Sequence, residues 1–453
     1  MLESVGGEGR GDTSSIRQVI LASFIGTTIE WYDFFLYGTA AALVFGQLFF
    51  PGSEPLVGTL LAFGTYGVGF AARPVGGIIF GHFGDRIGRK NMLVLSLLIM
   101  GVATFFIGLL PTYQSVGILA PILLVVLRLF QGFGVGGEWG GAVLMAVEYS
   151  PPGRRGFFGS WPQMGVPAGL LLSTVVFAIF SRGLSEEAFL SWGWRAPFLV
   201  SILLVGVGLF IRLRLLETPA FLQVQESRTE ARMPIIDVLR TYPKNVLLAM
   251  GMRIAENGTF YIITAFVLTY ITEQVGLESS VGLTGVIIAS AIGLAAIPFW
   301  GSLSDRIGRR PVYLFGAVFS LVFAFPFFWL LDTGVAPLVW IAIILGVNLG
   351  HDAMYGPQAS YFCELFGTRV RYSGASLGYQ LASVLAGGFS PLIAVALLTA
   401  YGSYIPIAIY MSFMALITVI AVILAPETYQ DDISETQDAE RQLIAERTGE
   451  RPA

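Results

Sequence analysis

Long apolar runs, each near the length of a membrane span, alternate along this chain with short polar stretches. About 20 mainly apolar residues, rising about 1.5 Å each in a helix, cross the hydrocarbon core of a bilayer. Counting such runs predicts twelve helices, at 17–46, 56–82, 91–110, 119–148, 157–180, 195–212, 245–272, 281–303, 311–331, 337–365, 373–400 and 404–425. Backbone groups in lipid must be satisfied within their own segment, and these runs are too long for barrel strands, so helix is the reading for each. The pattern divides the chain into a cytosolic tail (1–16), a six-helix bundle (17–212), a polar linker (213–244), a second six-helix bundle (245–425) and a cytosolic tail (426–453).

The polar stretches repeat as the apolar ones do. Gly81-His-Phe-Gly-Asp85-Arg86-Ile-Gly88-Arg89-Lys90 returns in the same spacing as Gly301-Ser-Leu-Ser-Asp305-Arg306-Ile-Gly308-Arg309-Arg310, displaced by 220 residues. Glu148 and Arg155 return as Glu364 and Arg371, displaced by 216. Two pseudo-symmetric halves with one plan are the trace of an internal repeat. The fold class expected is therefore an all-α membrane protein of two six-helix bundles.

Charge orients it. Of the 26 Lys and Arg, Arg182 and Arg195 fall on the outer face and Arg73, Arg128 and Arg253 inside helices, if both termini are cytosolic; all the others then lie in cytosolic segments. That asymmetry follows the positive-inside rule. Only 12% of residues are charged and 55% are hydrophobic, against about 25% charged in soluble proteins, which places the chain in a lipid bilayer. The basic residues occupy short separated loops and imply no nucleic-acid partner. The lone Cys363 excludes an internal disulfide, and two histidines, His82 and His351, without clustered cysteines form no recognisable metal site. The polar start, Met1 to Ser15, leads into a run long enough to span, so the first helix is expected to remain as an anchor. In the linker, Pro234-Ile-Ile-Asp-Val-Leu239 reads as a short amphipathic helix on the membrane surface or as a plain tether.

A charge inside a membrane helix costs about 2.5–3.5 kcal/mol on insertion scales and is a functional hypothesis by default. In the first helix Glu30, Asp33 and Tyr37 share a face. A carboxyl group desolvated there can exchange a proton, which makes Asp33 and Glu30 candidates for proton coupling; the alternative is that either pairs with a structural arginine. Arg128, which cannot shed its charge, needs a carboxylate from protein or substrate. Gln131 lies one turn on, and Gly132 and Gly136 form a small-xxx-small seam. Glu138, on a similar face, reads as a structural partner before a substrate contact. The seventh helix carries Arg253, Glu256 and Asn257, with Tyr261 a turn beyond. Arg253 either binds substrate or is satisfied by Glu256 on its own helix. Asn348, His351 and Asp352 form a further polar patch, and Arg73 is expected to reach for the interface beside Pro74. In the repeated loops Asp85 and Asp305 stand where a carboxylate caps helix amides. Arg86, Gly88, Arg89, Arg306, Gly308 and Arg309 complete these candidate gating loops, as topology markers, as ion pairs, or as both.

At these residues the chain resembles the major facilitator superfamily, whose repeated loop is Gly-x-x-x-Asp-Arg/Lys-x-Gly-Arg/Lys-Arg/Lys. Glu30-Trp-Tyr-Asp-Phe-Phe-Leu-Tyr-Gly38, Arg73-Pro-Val-Gly-Gly77, Arg128 to Trp139 and Ser160-Trp-Pro-Gln-Met-Gly-Val-Pro167 are similar to its metabolite:proton symporter family, from Ser23 to about Glu427. The resemblance implies a monomeric bacterial inner-membrane symporter, working by alternating access and driven by a proton gradient with no cofactor. Its expected partners are protons and a small polar metabolite, most simply a carboxylate such as shikimate or a related organic acid. Arg128, Gln131, Arg253, Glu256, Asn257, Tyr37 and Gln163 are the expected substrate-binding residues. An exporter or uniporter of the same fold is the alternative. An osmolyte symporter is a further one, disfavoured because that branch carries a long coiled-coil tail. No nucleophile stands beside a base, so an enzyme is not expected.

Overall fold

The computed structural model describes residues 9–52, 54–87, 89–136, 139–148, 150–151, 153–214, 234–366 and 371–431, with side chains except at 9–19, 22, 81–93, 145, 148, 211–235, 237 and 372. Helices joined by turns and short loops make up the described residues, and no strand occurs among them. The first half contains α1 (Gly9–Ala40, carried on by a wide turn Ala41–Phe45 and Gly46–Phe49), α2 (Pro55–Ile87), α3 (Arg89–Leu109), α4 (Leu119–Val135 then Trp139–Glu148), α5 (Arg155–Gly183) and α6 (Arg195–Arg214). A short helix, Pro234–Thr241, precedes the second half. There follow α7 (Pro243–Gln274), α8 (Ser279–Ile307), α9 (Arg309–Asp332), α10 (Ala336–Glu364), α11 (Arg371–Ala382, running on to Ser390–Tyr401) and α12 (Ile405–Leu424). Among the described residues these make twelve long helices, six to each half, the arrangement that the sequence pattern predicts.

Local chemistry explains the boundaries. Proline opens α7, α10 and α12 at the first helical turn, where its missing N–H is no loss. Gly402, at φ +62°, ends α11 by donating to the Leu398 carbonyl. Glycine also sets the packing. Side chains on Gly132 and Gly136 of α4 would collide with the Gly69 and Arg73 carbonyls of α2, so the small-xxx-small seam brings these two backbones together. Bulky apolar residues such as Leu203, Val322 and Phe413 point outward, as lipid requires.

The halves meet at both ends of the bundle. At one end Asp305, in the last turn of α8, accepts from the Gly156 and Phe157 amides at 2.7 and 2.8 Å. It therefore caps α5 of the other half, while the opening amides of α9, Arg309 and Arg310, are capped by Glu427 at 2.8 and 3.0 Å. Arg309 is buried and holds Asp305 (2.8 Å) and Glu364 (3.0 Å), and Arg155 reaches Glu364 at 3.4 Å. Gly308 has φ +104°, a left-handed conformation suited to the sharp α8–α9 junction, and Arg306 is exposed. The side chains of Asp85, Arg86 and Arg89, and Gly88 as a whole, lie outside the described residues. At the opposite end Arg182 of α5 donates to the Ser280 carbonyl (2.8 Å) and the Thr284 hydroxyl (2.7 Å) of α8.

Candidate functional site

Midway between those ends, each half buries a cluster of charge. In the first half Arg128 is wholly buried, with Gly69 of α2 leaving the room its guanidinium occupies. It lies over the rings of Tyr37 (4.2 Å), Phe34 (4.3 Å) and Tyr66 (4.7 Å) and donates through Nη1 to Gln131 at 3.0 Å. Gln131 in turn donates to Thr104 at 2.6 Å. Arg73 does not reach the interface. It is 0% exposed and stacks on Phe34 (4.1 Å) and Phe70 (4.2 Å). The Nε and Nη2 of both arginines find no hydrogen-bond partner among the described residues. A desolvated cation–π contact contributes on the order of 2 kcal/mol, whereas removing an ion from water costs several. The rings therefore offset part of the cost of two buried cations and leave their forks open to an anion.

Asp33 has the matching deficit. Both its carboxyl oxygens are buried and meet no donor among the described residues. Thr104 lies beside it, but its one hydroxyl proton goes to the Met100 carbonyl at 3.0 Å. Glu30 is likewise buried, 4% exposed, one turn away. Tyr37 hydrogen-bonds Thr65 at 2.6 Å, so it offers Arg128 its ring face.

In the second half the polar groups pair with one another. Arg253 bonds Glu256 (2.6 Å) and Gln358 (2.7 Å) through Nη1 and Ser383 (3.1 Å) through Nε, over the Tyr379 ring. Gln358 also donates to Glu256 (3.0 Å) and to Tyr313 (2.8 Å). His351 bridges Glu256 (3.0 Å) and Asp352 (2.8 Å), and Asn348 donates to Asp352 at 2.8 Å. Wide π-type turns, Gly346–His351 in α10 and Ser383–Gly388 in α11, deliver these side chains, as such turns often do at working sites. Asn257 places its Oδ1, unpaired among the described residues, against Gly387.

Between the clusters the halves are sealed by aromatic and amide contacts. Trp139 stacks on Tyr379 at 3.7 Å and donates to Gln163 (2.9 Å), which reaches the Tyr355 carbonyl at 3.3 Å. Gln380 donates to the Gly136 carbonyl at 3.1 Å, and Tyr261 packs on Phe70 across the interface. The cavity lined by Glu30, Trp31, Arg73, Trp139, Tyr379 and Gln380 has room for on the order of one water. With both ends of the bundle in contact, this is a closed conformation.

A family model described as Major Facilitator Superfamily matches residues 23–387, most of the chain. The chain belongs to the major facilitator superfamily. The shikimate transporter of Escherichia coli K12 is 45% identical over 425 residues, covering 93% of this chain and 97% of that one. The inner membrane metabolite transport protein YhjE of the same organism is 41% identical over 421 residues, covering 92% and 95%. Among solved structures, the proton:xylose symporter XylE superposes with a TM-score of 0.73 over 94% of this chain and 99% of its own, at 16% identity, a likeness of fold alone. The superfamily's members are transporters, and this chain is a transporter and not an enzyme.

Arg73 sits at the centre of the first half and not at the interface where its place before Pro74 would put it. An arginine before proline resembles a helix-end residue; its signal was the glycine-rich Arg73-Pro-Val-Gly-Gly77 surround, which marks close backbone approach and so a buried position. Glu138 lies outside the described residues.

Proposed function

We propose that this major facilitator transporter is a proton-coupled symporter that imports a small organic acid, with shikimate as the first compound to test. The observation that carries the proposal is the first-half cluster: two buried guanidinium groups with open donors and, linked to Arg128 through Thr104 and Gln131, a buried carboxyl with no hydrogen-bond donor among the described residues. A planar guanidinium fork grips a carboxylate through two parallel hydrogen bonds, so Arg128 takes the substrate's carboxylate while Gln131 fixes the angle of its fork. Arg73 adds positive potential from the other neighbour of Phe34. An ionised carboxylate without donors is costly in this setting, so the closed conformation suits an Asp33 that carries a proton. Opening the Asp305 end would release that proton and the substrate together, which is alternating access with symport. The likeness of the chain to the shikimate transporter supports the substrate class.

The orientation belongs to the same proposal: both termini and the Asp305 loop face the cytosol of a bacterial inner membrane, and one monomer suffices. Tyr401 and Gln430 lie exposed beyond opposite ends of α12. Cysteines placed there should label with an impermeant reagent from outside at Tyr401→Cys only; labelling at Gln430→Cys in intact cells would reverse the topology. The test of function is uptake of labelled shikimate, other organic acids and betaines into vesicles, with and without an imposed pH gradient. Accumulation of an organic acid that collapses with the gradient supports symport. Gradient-independent equilibration would indicate a uniporter, and accumulation of betaine alone an osmolyte carrier.

A further inference from the structure

The second-half cluster holds a proton position that the proposed Asp33 mechanism does not use. His351, 2% exposed, has both ring nitrogens within hydrogen-bond distance of carboxylate oxygens: Nε2 to Glu256 on α7 at 3.0 Å and Nδ1 to Asp352 on its own helix at 2.8 Å. When Glu256 and Asp352 are both ionised they only accept; each ring nitrogen then carries a hydrogen, and a ring with two is an imidazolium. The surrounding charges agree. Arg253 and His351 give two positive charges against the two negative charges of Glu256 and Asp352, and a neutral ring would leave a buried negative charge uncompensated. The other titratable neighbours are phenols: Tyr355 stacked on the imidazole, Tyr313 reached through Gln358, and Tyr379 under Arg253. Phe260 covers the ring at 4.2 Å, and on the α8 side Asp352 faces Gly293, beside Pro167 of α5, which brings no charge.

Glu256 is the shared acceptor. Its Oε2 takes Arg253 and Gln358 and its Oε1 takes His351. We infer that His351 is a second proton-binding site, and that its protonation loosens Arg253 from Glu256 so that the guanidinium can turn to the substrate's carboxylate. With the ring charged, Glu256 divides its charge between two cations. With the ring neutral, Glu256 belongs to Arg253 alone and holds it away from the site. Proton binding at His351 and anion binding at Arg253 thus favour each other, the sign that symport requires. The inference about the ring stands apart from Asp33, while its use in transport rests on the proposed function.

The chain has two histidines, which makes the test direct. Full-length protein carrying a histidine-free affinity tag, labelled with 15N in its imidazoles and held in lipid nanodiscs, gives two sets of ring signals, and His82→Gln assigns them. As pH is raised through the range in which imidazoles titrate, His351 should pass from two protonated nitrogens to one protonated and one bare. Because Arg253 and His351 compete for Glu256, Arg253→Gln should carry the imidazolium to higher pH by about one unit, a tenfold gain in proton affinity; Glu256→Gln should move it the other way. Arg253→Met, likewise uncharged, gives the same comparison should the Gln variant fail to insert. In Asp33→Asn the His351 titration should persist, so failure of the Asp33 mechanism and failure of this inference are distinguishable. A ring that is neutral throughout, charged throughout, or indifferent to both Arg253 substitutions overturns it.

Discussion

Two buried arginines, one in each half, live in opposite circumstances. Among the described residues, Arg128 of α4 has one hydrogen-bond partner, Gln131, and open nitrogens amid aromatic rings. Arg253 of α7 is held by a carboxylate, an amide and a hydroxyl. Both are buried, so desolvation burdens both alike; what differs is whether the protein supplies the compensation. A half that satisfies its charges internally has a stable resting arrangement, whereas a half that leaves them open is completed only by something brought in from outside. On the proposed function, the first half holds the standing sites for anion and proton, whereas the second half keeps its arginine and histidine on its own carboxylates until they are released.

The strongest way to break this contrast is at Asp33. Asn keeps the shape of the carboxyl and cannot titrate, so Asp33→Asn should abolish accumulation under an imposed proton gradient. Exchange of substrate at equal concentrations across the membrane should survive and lose much of its pH dependence. If the Asn variant still concentrates substrate, Glu30 or Glu256 becomes the better candidate for the coupling carboxyl.

A paired substitution sharpens it next. In Arg128→Lys the charge stays and the fork is lost; a bidentate charge-assisted pair is worth about 1.5–3 kcal/mol, so KM for uptake should rise about ten- to hundredfold with normal insertion. Arg253→Lys keeps a point charge for Glu256 but gives up Gln358 or Ser383, so its main effect should be on thermal stability, with a smaller rise in KM. Equal KM effects in the two variants would erase the distinction between the halves.

The helices and the duplication were legible because both are written in local order: run length, glycine and charge at fixed spacing. So was the Arg253–Glu256 pair, three residues apart on one helix face. What could not be read was anything set by the register of one helix on another. Membrane helices are apolar around most of their circumference, so periodicity does not say which face meets which neighbour. Asp305 was expected to cap a helix, and only packing shows that the amides belong to α5 of the other half. The same reason hid the His351–Glu256 bridge, between helices whose contact no spacing encodes, and the stacking of Arg73 on Phe34 of another helix.

A smaller effect is expected where the halves lock together. Asp305→Asn removes the charge from two amide bonds and an arginine contact, weakening closure at that end by about 1–3 kcal/mol. The single cysteine, Cys363, is buried near this end, one residue before Glu364. Its rate of reaction with a permeant maleimide should rise about tenfold in Asp305→Asn, because opening exposes that stretch of α10; an unchanged rate would show that the latch does not control opening.

The mildest substitution asks what the aromatic face under Arg128 contributes. Tyr37→Phe removes the hydroxyl that bonds Thr65 at 2.6 Å but leaves the ring beneath the guanidinium at 4.2 Å. Thr65 keeps its own bond to the Ala62 carbonyl at 2.6 Å, so no buried donor is orphaned and the cost should be about 0.5–1.5 kcal/mol of stability. KM and the pH profile of uptake should stay near those of the parent. Tyr37→Leu, which removes the ring, should raise KM further, because a cation that has lost part of its π contact loses some of its positioning as well. If the Phe variant instead alters the pH dependence, the Tyr37 hydroxyl belongs to the proton route between Asp33 and the site, and the division between an open cluster and a satisfied one would have to be redrawn inside the first half.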